Sequence, residues 1–223
     1  MTQTGLIIAS ILLIIKKMNL VISILISYLY GSIPMGYLLG KMKGIDITKQ
    51  GFKKIGTSNV YKVLGLPYAI LTFVFDSTKG IVAILISKQL LSIPMELSFI
   101  LGIAAIFGHN FPLWLKFKGH GRGVATSLGL SFYLIPSITI KVFVIYVLIT
   151  LILKSSAPAT PVFFTLLVIA TWLTKTQIWT LYFTLSLFIV FILTRVIAGW
   201  KYFLQSSDKF KAFWNIFVWD RTE

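Results

Sequence analysis

Long apolar runs alternate along this chain with short polar segments that hold most of its lysines. The alternation predicts membrane-spanning helices over 19–41, 67–86, 97–107, 159–173 and 178–198. The run 124–153 exceeds the roughly 20 residues of one straight span. Pro136 near its middle predicts two helices, 124–135 and 138–153, joined by a tight turn. The expected fold is all-α: an integral membrane domain of seven transmembrane helices over 19–198. Residues 1–18 form an apolar extension that ends at Lys16-Lys17-Met18. A cleaved signal peptide would carry its charges before the apolar stretch, not after it. An uncleaved extra helix and an upstream extension of a chain starting at Met18 both stay open. Residues 199–223 form a tail in which Lys201, Lys209, Lys211 and Arg221 interleave with Phe203, Phe210, Phe213, Trp214, Phe217 and Trp219. That mixture suits a segment lying on a membrane surface better than a nucleic-acid groove.

Composition sharpens this picture. Of 223 residues 57% are hydrophobic and only 12% charged, which excludes an ordinary soluble domain. The net charge is +15. The cations sit in connections between apolar runs, as the positive-inside rule expects, so nucleic acid is not an expected partner. Cysteine is absent and histidine occurs twice, which removes thiolate nucleophiles, disulfides and a His-rich metal site. With seven spans from residue 19, the loops 42–66, 114–123 and 154–158 and the tail share one side. That heavily basic side is expected to be cytoplasmic.

The candidate chemistry gathers on that same side. Between two apolar runs lies GHNFPLWLKFKGHGRGVATS, residues 108–127. Gly119, Gly121 and Gly123 alternate around His120 and Arg122, and backbone N–H groups in such an arc converge on an anion. Arg122 offers a fork of donors suited to phosphate or carboxylate. A helix expected to begin near Val124 would add its N-terminal dipole. Lys116 and Lys118 precede the arc, and His109 and Asn110 close the apolar run before it. The polar stretch 42–65 brings Lys62, Gly56, Thr57, Ser58 and Asn59, a mixture suited to a phosphate or polyol. Within the 67–86 span, Asp76 and Lys79 are three residues apart and share a helix face. Ionisable groups inside a span are functional candidates by default. Gly31-Ser32-Ile33-Pro34 breaks the first span. Each feature also has a plainer reading: a basic loop, a packing kink, an internal ion pair. The convergence of all of them on one side favours a shared anion site.

The segments YLYGSIPMGYLLGK, IGTSNVYKVLG, DSTKG and GHNFPLWLKFKGHGRGVATS, in that order over 19–127, resemble the bacterial PlsY family, the acyl-phosphate:glycerol-3-phosphate acyltransferases. The resemblance implies transfer of an acyl group from acyl phosphate to the 1-hydroxyl of glycerol 3-phosphate, giving lysophosphatidic acid and phosphate. It implies no cofactor, no metal and no coenzyme A. It also implies a multi-pass protein of the bacterial inner membrane, with its pocket open to the cytoplasm and membrane lipids around it. On this footing Ser32, Asn59, His109 and Arg122 are the catalytic candidates. Lys62, Lys79, Gly56, Thr57, Gly119, Gly121, Gly123 and Lys118 are the candidates for the substrate phosphate. Asp76 and Lys79-Gly80 match the family's Asp-x-x-Lys-Gly.

The chain also departs from the family pattern. Where the family has Gly-Ser-Gly-Asn-x-Gly, it reads Gly51-Phe52-Lys53-Lys54-Ile55-Gly56. Gly-Gly-Lys-Gly becomes His120-Gly121-Arg122-Gly123, and Arg-His-x-x-Asn becomes Arg195-Val196-Ile197-Ala198-Gly199. The last change removes a His and an Asn that the resemblance assigns to phosphate contact. A paralogue with another acceptor, or a lipid-binding protein without turnover, is therefore the alternative expectation. A small transporter with an Asp76–Lys79 relay is a third, disfavoured because no inverted repeat of broken helices is visible.

Overall fold

A computed structural model describes residues 3–91, 93–118 and 121–221. Among the described residues ten α-helices follow one another, α1 (Gln3–Gly31), α2 (Met35–Met42), α3 (Thr57–Leu64), α4 (Leu66–Leu91), α5 (Met95–Asn110), α6 (Val124–Leu134), α7 (Pro136–Leu153), α8 (Ser156–Leu173), α9 (Ile178–Gln205) and α10 (Lys209–Trp214). A short 3-10 turn, Leu113–Leu115, lies between α5 and α6, and a π-helical turn, Asn215–Trp219, follows α10.

Chain punctuation sets most of the boundaries. Pro34 and Pro94 precede α2 and α5, and Pro136 opens α7. Ser155 caps α8 by accepting the Ala157 N–H, and Asp208 caps α10 by accepting the Lys211 N–H. One boundary differs from the sequence pattern. Lys16-Lys17-Met18 does not interrupt α1, because lysine and methionine are both good helix formers. The break falls at Ser32–Pro34, where the Gly31-Ser32-Ile33-Pro34 segment predicts it.

Among the described residues six helical segments are long and apolar enough to cross a membrane: Leu13–Met42, Leu66–Ile86, Met95–Leu115, Pro136–Leu153, Ser156–Leu173 and Ile178–Gln205. The expected seventh, α6, has 11 residues. At 1.5 Å per residue it reaches about 16 Å, half of a hydrocarbon layer of about 30 Å. The split at Pro136 is therefore present, while its first half is too short to span alone.

α1 packs on α5, α4 on α5 and α6, and α7 on α8. Close approach depends on glycine at two crossings. A Cβ at Gly108 would overlap the Tyr28 carbonyl of α1, and one at Gly129 would overlap the Ser77 carbonyl of α4. Small residues that bring backbones together are the usual device where lipid supplies no hydrophobic drive. Gly108→Ala is accordingly expected to lower the thermal midpoint in detergent clearly. Gly56→Ala, at a position with nothing within 4 Å, should shift it little. The apolar core lies among α5–α9, where Phe163, Phe164, Phe183 and Phe191 are all buried. Phe163 meets Phe164 edge-on at 5.4 Å, and Phe164 stacks with Phe191 at 5.1 Å.

Candidate anion site

The inner part of the site is a buried ionic triad. Lys79 is fully buried on α4, and its Nζ lies 2.7 Å from Asp76 Oδ1. It also donates to the Ile33 carbonyl at 2.7 Å, in the break between α1 and α2. His109, in the last turn of α5, places Nδ1 3.4 Å from both Lys79 Nζ and Asp76 Oδ1. A backbone carbonyl at a helix break, which also accepts the Met35 N–H at 3.1 Å, thus becomes the third partner of an intramembrane pair, which is how irregular backbone is tolerated at that depth. Ser32 is buried beside it, but its hydroxyl donates back to the Tyr28 carbonyl at 2.8 Å. A hydroxyl so committed is not activated by a base.

Gly121 lies directly on this triad. A Cβ at Gly121 would overlap the His109 imidazole, so only glycine lets the backbone settle on the ring. Gly123 has φ 67°, in the left-handed region, and stands at the N-cap of α6. Beside it, Asn110 donates to Thr194 Oγ1 at 2.8 Å and so ties the end of α5 to α9.

One residue beyond Thr194, Arg195 opens the outer part. Arg195 Nη1 lies 2.6 Å from Asp220 Oδ1, and Arg122 Nε lies 2.8 Å from the same oxygen. Lys54 Nζ lies 2.7 Å from Asp220 Oδ2 and donates to the Asp220 carbonyl at 2.8 Å. Three cations from three distant stretches converge on one carboxylate. Burial pushes the Lys54 ammonium down to about 8, against the pull of Asp220. Burial alone would raise the Asp220 carboxyl, yet Arg122, Arg195 and Lys54 together hold it below its usual range.

The sequence-based candidates divide among these places. Ser32, Lys79, His109 and Gly121 form or adjoin the triad, and Arg122 belongs to the outer cluster. Asn59 does something else. Its amide donates to the Ile47 and Lys54 carbonyls at 2.9 and 2.7 Å and accepts the Phe52 N–H at 2.5 Å. It clips the 47–54 loop over α3 and thereby holds the backbone of Lys54. Gly56 caps α3, and the buried Thr57 Oγ1 at that helix start has no side-chain or backbone partner. Lys62 is exposed and rests over the Phe52 ring at 4.3 Å, away from the cation cluster's shared carboxylate. Lys118 is exposed, and Gly119, with His120, lies outside the described residues.

Of the two positions where the family resemblance expects phosphate-contacting His and Asn, Val196 lies on the exposed side of α9. Gly199 is buried beneath Ile216, whose Cγ1 would stand 2.6 Å from a Cβ there. Three contributors were missed by sequence reasoning: Lys54, Arg195 and Asp220. Arg195 carried a usable signal, being an arginine within an apolar span. Asp220 carried little, since Asp208 and Glu223 share the same basic tail.

Comparison with known proteins gives concordant results. A family model described as glycerol-3-phosphate acyltransferase matches residues 21–204. Glycerol-3-phosphate acyltransferase 5 of Dehalococcoides mccartyi is 42% identical over 117 residues, 52% of this chain and 49% of that protein. Glycerol-3-phosphate acyltransferase of Aquifex aeolicus is 36% identical over 123 residues, 55% of this chain and 64% of that protein. The chain thus spans about half to two thirds of the length of these curated relatives. Among solved structures it is similar to PlsY (YgiH), an integral membrane glycerol 3-phosphate acyltransferase. The glycerol 3-phosphate form gives a TM-score of 0.71 at 27% identity, over 82% of this chain and 91% of that one. The lysophosphatidic acid form gives 0.66 at 25% identity, over 87% and 98%. With six long apolar helices among the described residues, this chain is a multi-pass integral membrane protein.

Proposed function

The chain belongs to the glycerol-3-phosphate acyltransferase family, and from that premise we propose that it moves a fatty acyl group from an acyl phosphate to the 1-hydroxyl of glycerol 3-phosphate. The products are lysophosphatidic acid and phosphate. The observation that carries the reading is the seat of Lys54, Arg122 and Arg195, each within 2.8 Å of one carboxylate, next to the arc that rests on His109. Such a seat suits a phosphoryl group.

Acyl phosphate is a mixed anhydride whose leaving group departs readily, so the protein has chiefly to position the reactants and stabilise anionic charge. The acceptor hydroxyl oxygen attacks the carbonyl carbon, and the acyl carbon–phosphate oxygen bond breaks. The hydroxyl proton passes to a substrate phosphate oxygen. Arg122, with Lys54 and Arg195, holds phosphate. The Asp76–Lys79–His109 triad keeps the α1–α2 break and the glycine arc in register, and the acyl chain lies among the apolar helices. The site faces the cytoplasm of a bacterial inner membrane, as the basic loops around it imply.

The test uses the purified full-length chain in detergent with a long-chain acyl phosphate and glycerol 3-phosphate, following phosphate and lysophosphatidic acid together. Equal amounts of both products, formed only when both substrates are present, are expected. Phosphate release without glycerol 3-phosphate would replace this acceptor with another, or with water. No turnover by folded protein would overturn the reading.

A further inference from the structure

The family model ends at residue 204, yet the tail beyond it occupies the centre of the site. Residues 206–221 turn back on α9. Ala212 and Ile216 are buried, and Ile216 seats on Gly199. The π-helical turn then delivers Asp220 at φ 53°, closed by a bond from Arg221 N to the Asn215 carbonyl at 2.8 Å. Aspartate is among the few residues that accept this left-handed conformation readily. The turn drives its carboxylate between Lys54, Arg122 and Arg195, where its side chain is only 12% exposed.

Two mismatches mark this carboxylate as a stand-in. The first is charge: three cations face one acid, an excess of two positive charges. The second is donor count: Arg122 Nη1 and Arg195 Nε are buried in the cluster with no protein acceptor. A buried donor left unpaired forfeits its hydration without return. A phosphomonoester dianion in place of the carboxylate would halve the charge excess, from two to one, and its three terminal oxygens offer acceptors to the spare donors.

We infer that Asp220 is a specificity-determining residue of the anion site, and that a phosphate enters by exchanging with it. The tail is then a tethered competitor. With the tail docked, the seat is filled by a monoanion. When the tail withdraws, the phosphoryl group of a substrate takes the three cations and their two spare donors. The tail thereby sets the phosphate concentration at which the site fills. This deepens the acyltransferase reading and rests on it only for which phosphate compound enters.

The test needs no turnover. Inorganic phosphate is titrated calorimetrically into the full chain in detergent and into the Asp220→Asn variant, which keeps shape and removes charge. The variant is expected to bind phosphate at least tenfold more tightly; equal or weaker binding overturns the exchange. A second variant guards against misfolding. The chain has no cysteine, so Gly199→Cys with Ile216→Cys introduces a single pair, at two positions whose side chains would touch. Its oxidised form, with the tail locked down, should bind phosphate at least tenfold more weakly than its reduced form. Identical binding in the two forms overturns the proposal. The readings fail separately. Tighter phosphate binding by Asp220→Asn without any acyl transfer keeps the exchange and discards the acyltransferase reading. Acyl transfer with unchanged phosphate binding does the reverse.

Discussion

Lys79→Met is expected to destabilise the protein by about 3–5 kcal/mol, the range found when one partner of a buried ion pair is removed. Methionine matches the stem of lysine in length and apolarity, so packing changes little. The carboxylate of Asp76 remains, buried on α4, with its closest cation gone and only the His109 ring at 3.4 Å. The Ile33 carbonyl loses the ammonium and keeps only the Met35 N–H at 3.1 Å. The carboxylate is then left without its cation where water does not reach, and the break between α1 and α2 loses its tie to α4. A large drop of the thermal midpoint in detergent checks this; a variant as stable as the parent would show the pair to be energetically idle. The double change Asp76→Leu with Lys79→Met removes both charges together. Because a buried pair can be replaced by apolar groups at little cost, most of the lost stability should return. Turnover should not, since His109 loses both neighbours that hold its ring beneath Gly121. Stability and turnover returning together would reduce the triad to packing.

Helices and their rough extents were legible because lipid imposes one rule on every span: a run of apolar residues with paired backbone. The same rule made the split at Pro136 visible. It failed where length mattered more than apolarity, since α6 reads as apolar as its neighbours and yet has 11 residues. It also failed at Lys16-Lys17, where charge suggested a boundary that helix propensity ignores. Half of the site was legible for a local reason. Glycines at alternate positions around Arg122, and an acid three residues before a lysine within a span, announce their chemistry within a few neighbours. Asn59 stood out in the sequence without revealing its role, because only the fold shows its amide spent on the 47–54 loop. The outer cluster was not legible, because its members meet across the whole chain. Arg122 and Asp220 are separated by 98 positions, and Lys54 and Asp220 by 166. No periodicity records a contact of that kind, and the tail's aromatics pointed to a membrane surface while its single docked acid went unweighed.

Arg122→Ala is expected to lower turnover by at least about 100-fold, the usual effect of removing one fixed donor from a site that stabilises anionic charge. Two features put the whole loss on the chemistry. Arg122 lies between Gly121 and Gly123 and is not part of the apolar core clusters. Its one partner, Asp220, keeps Arg195 at 2.6 Å and Lys54 at 2.7 Å after the change, so no carboxylate is stranded. The thermal midpoint should therefore move little while lysophosphatidic acid formation nearly stops. Arg122→Lys separates charge from shape. It restores the cation but not the fork that addresses two oxygens at once, so it should recover only part of the rate. The sharper readout is the pattern of constants. A group that binds phosphate equally in the bound substrate and in the transition state raises KM and spares kcat, whereas one that meets charge developing on the departing phosphate lowers kcat. Arg122 lies where the arc, His109 and the cation cluster meet, so kcat is expected to carry most of the loss. Undiminished turnover in a folded Arg122→Ala protein would remove the arginine from the site and move the anion seat to Lys54 and Arg195 alone.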